Sequence, residues 1–213
     1  MSSGTETRGR RQQAPRGEGA KLRAEIIATT ERLLIETGSE EAVSIRAVAD
    51  AIGVTPPAIY RHFHDKATLL FEVCSAHFER MDRFVVESSQ HVDDPVDVLC
   101  ERAHAYVQFG QDNPEQYRIM FMGRATMTPE RWADEMLVES SSFGHFMQCV
   151  QACIDAGRFR AELDDSLSVT LALWAVVHGL ASLVVAKPHV PGPSIDERLD
   201  LLLDIALHGV LHP

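Results

Sequence analysis

A chain of 213 residues, 45% of them hydrophobic, can bury a sizeable core as one domain or as two sharing a border. Its net charge of −11 argues against a nucleic-acid partner for most of its length, because residues 72–213 hold ten Lys/Arg against twenty-two Asp/Glu. Residues 1–71 hold ten against nine, so any phosphate contact is confined there, and four scattered cysteines without a Cys-x-x-Cys pair exclude a disulfide framework.

Residues 1–18 lack an apolar period and read as a disordered basic arm, either following a nucleic-acid backbone or minor groove or standing free in solvent. Arg10-Arg11 is not followed by an apolar stretch and cleavage site, so no export signal is expected and the cytoplasm is the expected compartment. Leu22, Ile26, Thr30, Leu33 and Leu34 then mark one face of a helix that Gly38 stops. Ser44 caps a short helix with Ile45, Val48, Ala49 and Ile52 inward, and Gly53 ends it. Thr55-Pro56 opens a third helix, and Asp65 caps a fourth with Leu69, Leu70, Val73 and Phe78. Asp94-Pro95 opens a fifth through Leu99, Ala103, Tyr106 and Phe109. Asn113-Pro114-Glu115-Gln116 has the form of a capping box, and Thr128-Pro129 starts a long helix ending near Gly157. Asp164 or Asp165 caps an apolar helix that stops before Pro188. Its run from Leu167 to Val185 is short for a membrane span and contains His178, so it reads as a buried helix and no membrane partner is expected. Ser194 to Glu197 is a complete capping box for the last helix. No segment alternates with period two. The fold expected is all-α with about nine helices: a helix-turn-helix unit over 19–66 and a helical ligand-binding and dimerisation unit over 67–213.

The stretch from Ser44 to Lys66 carries the chemistry. Two short helices joined by a tight Gly-containing turn make a helix-turn-helix, with Ala49 small at the crossing and Ile52, Val54 and Ile59 fixing the angle. The third helix offers its N-terminal turn to a major groove. The runs S-I-R-A-V-A-D-A-I-G-V-T, P-P-A-I-Y-R-H-F and D-K-x-x-L-L resemble the DNA-binding domain of the TetR family of transcriptional regulators over about residues 20–75. The resemblance implies backbone contacts from Ser44, Arg46, Thr55, Tyr60, His62 and Lys66, and groove contacts from Pro56, Pro57, Ala58 and Arg61. Residue chemistry agrees. A hydroxyl beside free N–H groups at a helix N-terminus suits phosphate. The planar fork of Arg61 matches guanine O6 and N7, and Pro57 and Ala58 suit thymine methyls. Each residue also has a plain reading: Tyr60 capping the small core, His62 in solvent, and Arg61 paired with Asp65 at i, i+4.

The two last helices, about 164–187 and 194–211, carry more large aliphatics than one side of a bundle needs, which suggests a homodimer about a two-fold axis. The family resemblance implies the same four-helix interface. Trp174, His178 and Gly179, in W-x-x-x-H-G after A-G-R-F, resemble one C-terminal subfamily of these regulators. Tyr106, Phe109, Tyr117, Met120, Phe121, Met122, Met136, Phe143, Phe146 and Met147 supply adaptable bulk for an apolar effector pocket, and a packed core explains the same residues. Trp174 and His178 lie one turn apart on the pocket's expected wall, with a carbonyl expected to satisfy the imidazole. His145, Cys149 and Cys153 share one stripe, which raises a metal or thiol sensor. Their ends lie about 12 Å apart along a helix, so buried structural cysteines are the better reading. No metal or cofactor is expected. No phosphate loop, nucleophile elbow or His-Glu-x-x-His motif occurs, so an enzyme is not expected. The expectation is a regulator, by default a repressor, binding a pseudo-palindromic operator as a homodimer and released by a small apolar effector, with a constitutive DNA-binding protein as the alternative.

Overall fold

Caps and left-handed glycines set the helix ends. The computed structural model describes residues 18–121, 138 and 141–211, and these form nine helices, with a Phe159–Leu211 bridge as their only β pairing. The expected basic arm lies outside the described residues except for Glu18, which opens α1 (Glu18–Thr37). Gly38 stops α1 with φ +61°. Ser44 Oγ accepts from Ala47 N at 3.1 Å to start α2 (Ile45–Ala51). Gly53, at φ +68°, turns the chain toward α3 (Pro56–Tyr60). Asp65 then accepts from the N–H and hydroxyl of Thr68 at 2.7 and 2.8 Å, opening α4 (Lys66–Ser88).

Asp94 caps α5 (Pro95–Asp112) through Val96 N and Asp97 N. The capping box expected at Asn113 does not form. Its amide oxygen accepts from Arg80 at 2.8 Å and its amide nitrogen donates to the Phe109 carbonyl at 3.1 Å, so Asn113 closes α5 instead of opening α6 (Pro114–Phe121). A second expectation needs correcting. The helix ending near Gly157 does not run unbroken from Thr128: Ser141 accepts from Gly144 N at 2.9 Å and starts a new helix, α7 (Ser142–Asp155). Residues 122–137 lie outside the described set. Of the two candidate caps for α8 (Ser166–Ala186), Asp165 is the one used. Both bonds of the Ser194–Glu197 box open α9 (Ile195–Val210).

Two cores share α4. Ile26 and Val48 from α1 and α2, Ile59 and Phe63 from α3 and the turn after it, and Leu69 and Val73 from α4 are all at most 1% exposed and form one cluster. Truncating a side chain such as Phe63 there costs about 3–5 kcal/mol. This core runs through Val73, beyond the 19–66 span expected of the helix-turn-helix unit. From Cys74 onward α4 turns to a second core: Cys74, Phe78, Met81 and Val85 pack with Tyr106, Val107, Tyr117, Val177, Ala181 and Leu199. α5 lies at its centre, against α4, α7 and α8. Arg23 of α1 bonds Glu72 of α4 at 2.8 Å and lies 5.2 Å over the Phe63 ring, fastening the first core to the shared helix.

α8 is apolar and long enough to cross a membrane by length and composition. Val169, Leu173, Val177, Leu180, Ala181 and Val184 are buried in the cores, as the sequence reading expected, while Leu171 and Leu183 stay exposed. On α9, Leu201 and Ile205 are 58% and 62% exposed.

Candidate functional site

The surface around α3 is built by the turn before it. Val54 N donates to Ala49 O at 2.9 Å across the Gly53 turn, and Ala49 is fully buried, so α2 and α3 cross closely. With Ile59 and Phe63 drawn inward, the opposite face of α3 turns to solvent. Thr55, Pro57, Tyr60 and Arg61 are exposed there, together with Ser44 and Arg46 of the preceding segment, and Pro56 and His62 are half-buried.

Thr55 is the N-cap of α3, yet its hydroxyl makes no capping bond and stays open to a phosphate oxygen. The free N–H groups expected beside it are not there, because Pro56 and Pro57 have none and Ala58 N donates to the Thr55 carbonyl at 2.8 Å. Tyr60 is 53% exposed and does not cap the core. Asp65 is committed to Thr68 and His64, and Arg61 and Arg46 have no ion pair among the described residues. The i, i+4 pairing considered for Arg61 is therefore not made. Two expected contacts sit differently. Ala58 is only 7% exposed, which removes its methyl from the groove-facing set. Lys66 Nζ donates to the Glu40 carbonyl, fastening the loop between α1 and α2, so its placement at a helix start already has a partner inside the chain.

A cavity of about 750 Å³ opens beside the second half of α4. Of the residues expected to line it, Tyr106, Phe121, Phe143, Phe146 and Trp174 do so. Phe109, Tyr117 and Met120 do not. They are packed core, Tyr117 fully buried and Phe109 3% exposed. Met147 is half-buried away from the lining, and Met122 and Met136 lie outside the described residues. Sequence reasoning missed the α4 wall: Phe71, Cys74, Ser75, Phe78, Met81, Asp82 and Val85, with Arg102 and His145 from α5 and α7. The signal was present in Cys74, Phe78, Met81 and Val85, a helical stripe that continues past the DNA-binding motif.

His178 stands behind this wall. Its Nδ1 lies 2.8 Å from the Tyr106 hydroxyl and 2.9 Å from that of Tyr117, and Ser182 Oγ lies 3.2 Å from both Nε2 and the Tyr117 hydroxyl. The partners are hydroxyls, where a carbonyl was expected. One ring nitrogen serves one linear hydrogen bond, so two hydroxyls compete for it. Tyr117 has Ser182 as an alternative, so the nitrogen falls to Tyr106, whose hydroxyl also has the side chains of Tyr117 and Trp174 as hydrogen-bond partners. Burial lowers the His178 pKa and raises those of both tyrosines, so the cluster is neutral at pH 7.

The stripe of His145, Cys149 and Cys153 does not gather into a sensor. His145 Nδ1 meets both Asp82 oxygens at 2.9 Å, and Arg102 Nη1 donates to Cys149 Sγ at 2.8 Å. Both thiols are buried, and burial pushes Cys153 up to about 12 and raises Cys149, so neither is a reactive thiolate. No cluster able to hold a metal occurs among the described residues.

Residues 26–73 match the family described as "Bacterial regulatory proteins, tetR family", and residues 99–206 match "Tetracyclin repressor-like, C-terminal domain". Among solved structures, the chain is similar to a TetR family transcription regulator from Marinobacter aquaeolei VT8, at TM-score 0.69 and 21% identity over 93% of this chain and 100% of that one. It is similar to a protein of unknown function from Rhodococcus sp. RHA1, at 0.73 and 22% over 94% and 100%. A regulatory protein in the tetR family from Rhodococcus RHA1 matches at 0.67 and 21% over 91% and 98%. These identities speak for the fold. Coming after the exposed helix-turn-helix, two family matches of which the second alone spans half the chain leave one conclusion: this protein belongs to the TetR family of transcriptional regulators.

Proposed function

We propose that the protein is a homodimeric operator reader, a repressor by default, which a small and largely apolar molecule bound beside α4 releases from DNA. The observation that carries this reading is the shared helix. α4 supplies Leu69, Leu70 and Val73 to the core under α3, then Cys74, Phe78, Met81 and Val85 to the wall and surroundings of the cavity. A displacement of α4 by a ligand is therefore felt by the helix that faces DNA. The ligand does this only by binding the released state more tightly.

In this reading Arg61, Pro56 and Pro57 face the major groove, and Ser44, Arg46, Thr55, Tyr60, His62 and the remaining donors of Lys66 meet phosphates. The exposed aliphatics of α8 and α9, Leu171, Leu183, Leu201 and Ile205, pair with their copies across a two-fold axis. That pairing sets two recognition helices about 34–36 Å apart, one turn of DNA. It also covers the apolar flank of α8, consistent with a cytoplasmic protein.

Selection of bound sequences from a random duplex library, with purified protein at physiological salt, tests the reading. An enriched inverted repeat supports a dimeric operator reader. No enrichment, or a non-repeated site, overturns it, and the Tyr60→Ala variant carried in parallel sets the background for non-specific capture.

A further inference from the structure

Among the described residues, one half-buried cation on the cavity wall, Arg102 of α5, has no carboxylate paired with it. Its Nε donates to Ser89 Oγ at 2.9 Å, and its Nη1 to the His145 carbonyl at 3.3 Å and to Cys149 Sγ at 2.8 Å. All three acceptors are neutral, since burial keeps Cys149 a thiol. Among the described residues no carboxylate pairs with Arg102 and nothing occupies its Nη2. Acidic residues are plentiful in this half of the chain, yet the half-buried one on the cavity wall, Asp82, is taken by His145, and Glu79 and Glu87 are exposed.

A guanidinium stays charged in a protein, and leaving it half-buried without a counter-ion is unfavourable. Three fixed hydrogen bonds hold its plane, so the open edge is set for an acceptor before that acceptor arrives. Beyond it the wall is aromatic, with Phe143, Phe146 and Trp174, and Tyr106 stands one helical turn along α5. We propose that the cavity takes an amphipathic organic acid, with its carboxylate on Arg102 and its apolar body against Phe143, Phe146 and Trp174. This rests on reading the cavity as the effector site. An apolar cation drawn by Glu79, Asp82 and Glu87 is the competing occupant.

Calorimetric titration of the full chain near neutral pH with decanoate and 2-naphthoate, each beside the alcohol and the amine of the same skeleton, tests this. The acids should bind about tenfold or more tighter than the alcohols. Arg102→Gln should bring acid and alcohol level, while Arg102→Lys keeps part of the preference. The ratio within each variant is an internal control on folding, and if the Gln variant binds nothing the Lys variant decides. Alcohol or amine binding as tightly as the acid, no binding by any probe, or an undiminished preference in Arg102→Gln overturns the proposal. Addition of decanoate to the protein–duplex complex separates the two readings. Arg102-dependent binding that releases no duplex leaves the acid site standing and overturns the effector role.

Discussion

At the scale of single residues, side chains without a partner in the chain are the informative ones. Arg61 has no ion pair among the described residues, so its fork is free for a base edge. Arg61→Ala should relax guanine preference at one position of each half-site, at about 1–3 kcal/mol per contact, read by competition between duplexes differing at that base. Lys66 is the opposite case. Its bond to the Glu40 carbonyl predicts that Lys66→Ala lowers folding stability by about 1 kcal/mol in urea titration, whatever it does to DNA affinity. A flatter salt dependence of duplex binding in the same variant would assign it a phosphate as well. His178 predicts a pH effect. Burial holds its folded pKa below the ordinary 6.5, so the unfolded chain binds more protons between those two values. Stability is full above 6.5 and falls as pH drops through that window, an effect His77 shares because burial lowers its pKa too. The urea midpoint should thus decline below pH 6.5, and His178→Gln should shallow that decline. An unchanged slope would remove His178 from the account. Ser182, one turn along α8 from His178, was within reach of the helical period, whereas Tyr106 and Tyr117 were not legible as its partners because only the packing of α5 and α6 against α8 brings them there.

At the scale of elements, most helix starts were legible because a cap is a local event. Ser44, Asp65, Asp94, Asp165 and Ser194 each bond an N–H within three residues. Ser44→Ala should cost about 1 kcal/mol and loosen α2 without moving α4, seen as lost amide protection confined to residues 45–51. Asn113 shows where local reasoning stops: a distant guanidinium, Arg80, outcompetes the helix N-terminus for the same side-chain oxygen. The α4 wall of the cavity was missed for a related reason. Phe78 was read with Leu69, Leu70 and Val73 as one inward set of the fourth helix, and periodicity does not say which of two cores a helix face meets. The carboxylate caps add a separate acid limit. Hydrogen bonds hold Asp65 near 2 and lower Asp94, Asp165 and Glu197, so what they contribute is full above the ordinary carboxylate range and is lost as pH falls below it.

At the scale of the whole molecule, the exposed aliphatic face of α8 and α9 makes the strongest demand. Leu201→Glu with Ile205→Glu should leave helicity intact, since both side chains already meet solvent within one chain. It should halve the mass in sedimentation and abolish tight binding to an inverted repeat, and an unchanged mass would place the interface elsewhere. The charge division was legible from composition alone, and it agrees with the exposed Arg46 and Arg61 lying on the helix-turn-helix.

The seam inside α4 bears on how such regulators diversify. Cutting the gene at the turn before Asp65 would strip Leu69, Leu70 and Val73 from the core that Ile26, Ile59 and Phe63 need, leaving a fragment unable to close. Phe71 already lines the cavity and His77 still lies 3.6 Å from Glu31 of α1, so the neighbours change over about two helical turns, and a crossover is tolerated where that stretch of α4 comes from one parent. Recombination there would graft an old operator specificity onto a new chemical sense and leave the helix between them unbroken.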